Sequence, residues 1–160
     1  AGSRDAQRFG RGQREAAITH ATRLLDAGRS VLLQPYLTSV DTAGETALMF
    51  FAGQFSHAIR KGPLLQRDEG PTEKLFAPEK ITARTPGNDE RDLAERIAAA
   101  LPRLFKLEGP LAYARIDLIR DGDGKPCLLE LELTEPSLFF LYDDTAADRF
   151  VASLLTSAAQ

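Results

Sequence analysis

One cysteine, Cys127, stands in a chain of 160 residues. A single thiol excludes an intramolecular disulfide framework, and a reducing compartment, here the cytoplasm, is the default expectation. Long apolar runs are missing too: nothing approaches the about 20 consecutive apolar residues of a membrane-spanning helix. The polar opening, AGSRDAQRFGRGQREA, holds no apolar core of a secretory signal. Basic residues form no stripe interleaved with aromatics, and the formal net charge is -3, which argues against nucleic acid as a partner. GRGQRE lacks the lysine and threonine of a Walker loop, and nothing completes a dinucleotide fingerprint. No Cys/His cluster has zinc spacing. No internal repeat is visible. What remains is a 43% apolar chain, enough for one ordinary core.

Residues 1–12 are polar and Gly-rich and are expected to be disordered or engineered, since no methionine opens the chain. Residues 13–160 are read as one folded lobe. Residues 13–28 predict a helix with Ala16, Ala17, Ile18, Ala21, Leu24 and Leu25 as its apolar stripe and Gly28 as its stop. VLLQPYL, 31–37, predicts a strand with Pro35 at an edge or exit. After a polar linker with Asp41 and Gly44, residues 45–62 predict a hairpin turning near Ala52-Gly53-Gln54. Residues 63–89, with Pro63, Pro71, Pro78 and Pro86, read as a long loop or lid broken by a short strand around 79–84. A helix from Asp89 to Leu101, a hairpin over Tyr113–Pro136 and a final helix from about Thr145 to Leu155 complete the order. The class is α+β: an antiparallel or mixed sheet flanked by helices. The apolar run 138–142 is assigned to the core under the last helix, with a homodimer interface as its alternative.

The second hairpin carries the chemistry. Side chains alternate along a strand, so Arg115 and Asp117 share one face while Ala114, Ile116 and Leu118 share the other. Glu130 and Glu132 share a face on the returning strand. A two-residue turn at Asp123-Gly124 pairs Asp117 with Glu130 and Arg115 with Glu132. Facing carboxylates repel, and the arrangement makes sense with a cation between them. Magnesium is hard and takes carboxylate and phosphate oxygens. The competing reading is a solvated sheet face. Arg115 could neutralise Glu132, or hold a phosphate or developing oxyanion. Arg60 and Lys61 could reach phosphate or a substrate carboxylate, or be a solvated strand end. The DGDG stretch is a turn, because Lys125 and Pro126 break a calcium loop. Ser56 and His57 form no catalytic triad, and His57 is placed as structural or at the site rim.

LLQPYL, GETALMFFAGQFSHAIRKGP, YARIDLI and LLELELTEP together resemble the ATP-grasp superfamily, the fold of glutathione synthetase, D-alanine–D-alanine ligases and ribosomal-protein glutamate ligases. The flavour is similar to a bacterial group that includes the cyclo-ligase of cycloserine biosynthesis. The resemblance covers about residues 30–155 and implies the C-terminal portion of the fold. It implies Asp117, Glu130 and Glu132 as ligands of Mg2+ or Mn2+, with Glu132 standing where many members have asparagine. It implies Arg115 as stabiliser of the acyl phosphate and tetrahedral intermediate, with Lys61 and Arg60 as phosphate or substrate contacts. Gln34, Pro35, Tyr36 and Leu37 would line the adenine hinge, and Asp41 or Glu45 would bind ribose. The implied activity is an ATP- and Mg-dependent carboxylate–amine ligase acting through an acyl phosphate on small-molecule or peptide substrates. A non-catalytic nucleotide-binding or interaction module and an ATP-grasp kinase are the alternatives. Such enzymes are much longer, so an N-terminal lobe or a separate subunit is an expected partner, and the isolated chain is expected to supply half of an active site.

Overall fold

In the computed structural model, residues 4–65, 71 and 80–158 are described. They fall into two units, one within residues 1–36 and 63–79 and the other within 37–62 and 80–160.

The first unit contains α1 (Arg14–Asp26). It stops where the sequence places its stop. Gly28 takes φ 72°, which costs an L side chain strain and glycine almost nothing. The Gly28 N–H donates to the Leu25 carbonyl at 2.9 Å and the Arg29 N–H to Leu24 at 3.0 Å, the paired bonds of a Schellman end. The expected apolar stripe is mostly uncovered, with Leu24 buried but Ile18 47% and Leu25 58% exposed. Residues 31–37 form no strand. The alternation of VLLQPYL is present, yet Leu32 and Leu33 are 87% and 89% exposed. A strand exists only as part of a ladder, no described segment pairs with this one, and Pro35 has no N–H to donate.

The second unit opens with a short helix, α2 (Val40–Ala43), in the expected linker. Its sheet is antiparallel throughout: β1 (Glu45–Phe51), β2 (Gln54–Lys61), β3 (Ile81–Ala83), β4 (Tyr113–Arg120) and β5 (Pro126–Glu132) lie in the order β3-β2-β1-β4-β5. β1 and β2 are joined by Ala52 and Gly53, whose φ values of 46° and 77° belong to the turn that matches strand twist. The short strand expected around 79–84 is β3. Residues 66–70 and 72–79 of the proposed lid lie outside the described residues.

β1 is buried on both faces from Thr46 to Phe51, so a layer must cover each. α3 (Asn88–Phe105) supplies one, packing Ala94, Ala98 and Leu101 on Leu48, Phe50, Ala114, Ile116 and Leu118. Its start is fixed by Glu90, whose carboxylate accepts the Gly87 N–H at 2.8 Å and the Thr46 hydroxyl at 2.8 Å. The helix outruns its expected end at Leu101, because Pro102 loses its own donor but still accepts from Lys106, which closes another turn. Leu138, Phe139, Phe140, Tyr142 and Phe150 cover the opposite face, over Ala47, Met49, Phe51 and Ile59. Most of the 138–142 run therefore packs in the core, while Leu141 stays 96% exposed. α4 (Ala146–Ala158) contributes Phe150 to that layer. Among the described residues no helix is long and apolar enough to cross a membrane.

β4 (Tyr113–Arg120) and β5 (Pro126–Glu132) form the second hairpin. Asp117 faces Glu130 and Arg115 faces Glu132, the expected pairs, reached by a different route. The connection is Asp121–Lys125, closed by the Asp121 N–H on the Lys125 carbonyl at 2.8 Å, rather than a two-residue turn at Asp123-Gly124. That places Leu118 opposite Leu128, and a bulge leaves Leu129 without an opposite residue. The extra residue restores the register that the longer turn had shifted.

Candidate functional site

The face of the sheet opposite α3 carries the charged side chains. Asp117 stands beside Ala47 of β1, and Arg115 beside Met49. Glu45 at the start of β1 faces Lys61 at the end of β2. Asp117 is fully buried, and Arg115 and Lys61 retain only 6% and 7% exposure.

Charges so deep persist only when paired and hydrogen-bonded, and these are. Lys61 Nζ donates to Asp117 Oδ2 at 2.8 Å and lies 2.9 Å from Glu45 Oε2. Arg115 Nε donates to Asp117 Oδ1 at 2.9 Å and Arg115 Nη2 to Oδ2 at 3.1 Å. The same Nη2 lies 2.6 Å from Glu132 Oε1 and 3.8 Å from Glu130 Oε2. Burial favours the neutral amine of Lys61, but Asp117 and Glu45 outweigh it and raise its pKa. Burial acts against the charge on Arg115 as well, and Asp117, Glu132 and Glu130 reverse the effect, so its pKa is also raised. The Glu132 carboxyl is pushed up by burial first; Arg115 opposes this, while Glu130 and Asp117 reinforce it.

Two cations therefore face four carboxylates, Glu45, Asp117, Glu130 and Glu132. The face carries an excess of two negative charges, the complement of a divalent cation. Glu130 is the most open of the four, its side chain 44% exposed. The donors are all oxygen, which suits a hard ion. Among the described residues no three His, Cys, Asp or Glu side chains are grouped closely enough to grip one: the two cations occupy the space between the carboxylates.

The remaining residues singled out in the sequence separate. Arg60 lies on the opposite face from Lys61, with Nε on the Ala43 carbonyl at 2.8 Å and Nη2 on Thr42 at 3.1 Å. Gln34 and Pro35 are exposed in the first unit. Tyr36 lies under the Arg8 guanidinium, 3.5 Å from its ring centre, and its hydroxyl reaches the Leu65 carbonyl at 3.5 Å. Leu37 is half-buried where the second unit begins, and Asp41 is exposed in the first turn of α2. Glu45 spends its carboxylate on Lys61, a link that sequence reasoning missed.

His57 is buried at 5% exposure. Its Nε2 bonds the Leu138 carbonyl at 2.9 Å and its Nδ1 the Ser56 hydroxyl at 2.9 Å, which also accepts from Arg149 Nε at 2.9 Å. This clips the segment after β5, and α4, to the sheet. Burial lowers the His57 pKa, the Leu138 carbonyl partly opposing it.

No family model matches the chain. Over 152 residues it is 43% identical to the cycloserine biosynthesis protein DcsG of Streptomyces lavendulae, across 95% of this chain and 50% of that protein. The crystal structure of D-cycloserine synthetase DcsG is similar to it with a TM-score of 0.86 at 41% identity, over 98% of this chain and 52% of that one. A D-alanine–D-alanine ligase from Bacillus anthracis complexed with ATP is similar with a TM-score of 0.56 at 16% identity, over 89% and 46%, a likeness of fold alone. The chain spans about half the length of the relatives it matches.

Proposed function

We propose that this chain, which is similar to about half of DcsG, carries the metal-binding lobe of an ATP- and Mg-dependent carboxylate–amine ligase of the ATP-grasp type. The observation that carries the proposal is the buried face on which Lys61 and Arg115 meet four carboxylates.

In this reading Asp117, Glu130 and Glu132 hold Mg2+ or Mn2+. An ion held by these carboxylates would supply positive charge against the phosphate oxygens. Lys61 lies at the same face and supplies a mobile cation to a phosphate. Arg115 presents a planar fork suited to a phosphate or to the oxyanion of a tetrahedral intermediate. Gln34 to Leu37 form the adenine-side hinge, and Asp41 contacts ribose. Glu45 is better explained as the anchor of Lys61, which replaces the ribose role. A substrate carboxylate oxygen forms a bond to the γ-phosphorus while the bond to the bridging oxygen of ADP breaks. An amine nitrogen then bonds the acyl carbon and loses a proton, and inorganic phosphate leaves with the C–O electron pair. Acid and amine can belong to two molecules or to one that cyclises. Free water would hydrolyse the acyl phosphate, and the 63–89 segment is the part of the chain proposed to exclude it.

A second reading is a nucleotide-binding module without turnover. Calorimetric titration with ATP and ADP, with and without Mg2+, tests the site in either case. Magnesium-dependent binding that E130Q abolishes is the expected result; binding that E130Q leaves unchanged refutes the metal assignment.

A further inference from the structure

Every oxygen of Asp117 is already taken. Oδ1 accepts from Arg115 Nε at 2.9 Å, and Oδ2 accepts from Lys61 Nζ at 2.8 Å and Arg115 Nη2 at 3.1 Å. A divalent ion entering alone would compete with these charge-assisted hydrogen bonds for Asp117 and sit beside two fixed cations. Each cation, however, has a second carboxylate. Lys61 lies as close to Glu45 as to Asp117, at 2.9 against 2.8 Å, and Arg115 lies 2.6 Å from Glu132. Lysine is a point charge on a flexible four-carbon stem, able to change partners without the geometric constraint of a guanidinium fork. Lys61 can release Asp117 while remaining paired.

We propose, on the basis of the ATP-grasp reading, that Lys61 is a resident counter-ion that keeps the carboxylate site closed, so that the metal enters together with the phosphates that draw Lys61 away. Glu45 is the positioning residue of this exchange: it holds the amine within reach of both states. An anionic polyphosphate supplies Lys61 with the negative charge that Asp117 had provided, and the Oδ2 lone pair that Lys61 leaves becomes available to the metal while Arg115 Nη2 stays on the same oxygen. Metal and nucleotide then bind with strong mutual dependence, because one lysine cannot serve both partners at once.

The test uses the 160-residue chain, Mn2+ as the metal probe and ADP as the phosphate donor, with free Mn2+ read by electron paramagnetic resonance. Wild type is expected to bind Mn2+ alone weakly and to bind it about tenfold or more tightly with ADP than the solution Mn–ADP complex explains. K61M is expected to bind Mn2+ alone about tenfold or more tightly than wild type. R96M removes an exposed charge on α3, the helix that covers the other face of the sheet, and is expected to match wild type, which separates local displacement from the general field. Wild type binding Mn2+ alone as tightly as K61M overturns the counter-ion proposal while leaving the metal site intact. Absence of Mn2+ binding with and without ADP, in wild type and K61M alike, overturns the metal reading itself. Should K61M not fold, as judged by circular dichroism, the ADP dependence of wild type decides: nucleotide-independent Mn2+ binding refutes the exchange.

Discussion

Replacing Asp117 by asparagine tests the charged face most directly. The side chain is fully buried and accepts from Lys61 at 2.8 Å and from Arg115 at 2.9 and 3.1 Å. The amide that D117N introduces keeps one acceptor but turns a donor toward donors and removes the charge on which both cations depend. Breaking a buried ion pair costs about 3–5 kcal/mol, because the partner is left uncompensated. Here the partners are not abandoned, since Lys61 keeps Glu45 and Arg115 keeps Glu132. The loss therefore falls at the lower end, about 3 kcal/mol, or a melting temperature lower by about 6–12 °C for a chain of this size. Urea unfolding in the presence of a chelator, extrapolated to zero denaturant, measures it with no metal contribution. A loss below about 1 kcal/mol would mean that the ion pairs add nothing beyond their desolvation cost, and would refute the account of how the face is held.

Gly44 has φ 72° and ψ -169°, a region almost closed to other residues, and an added Cβ would collide with the Lys61 carbonyl oxygen. G44A is expected to cost about 2–3 kcal/mol in urea unfolding. His57 prefers its neutral form in the fold, so its contribution to stability is complete above its ordinary pKa of 6.5 and is lost as pH falls below that value through the lowered folded pKa. Wild type should therefore lose stability between about pH 7 and 5 more steeply than H57Q, and equal slopes would contradict this. The half-buried Glu132 carboxyl, raised by burial, should titrate above the ordinary glutamate range in a carbon-detected NMR series, and an ordinary value there would count against its burial.

Most of this fold was legible because its signals are local. Ala52-Gly53 marks a turn by backbone permissiveness, Gly28 marks a helix end, and the alternation of YARIDLIR separates the α3 face from the charged face. What was not legible arises from single inserted residues. Counting back from the Ala52-Gly53 turn without interruption sets Arg60 opposite Glu45. In the structure Met49 faces His57 and Phe50 faces Phe55, so Ser56 has no opposite residue and Lys61 takes the place facing Glu45. One residue thus exchanges which cation joins the carboxylates, and sequence alone gave both as candidates. The Asp117–Glu130 pairing was correct although its turn was misplaced, because the Leu129 bulge offsets the longer loop. VLLQPYL failed for another reason: its pattern is that of a strand, but a ladder needs a neighbour, and periodicity carries no information about one.

The Leu129 bulge behaves as an expansion joint. The carboxylate end of the hairpin is held by β1, through Ala47 and Met49, and by the ion pairs, whereas Gly122 to Lys125 at the tip are exposed. Between them lies one residue with no opposite number, where a change of length can be absorbed. Deleting Leu129 while keeping the tip leaves Glu130 beside Asp117, since Leu128 and Leu118 already face each other one step away. The tip is consequently the place on this chain where a fluorescent label, a cleavage site or a grafted epitope can be carried without moving the carboxylates.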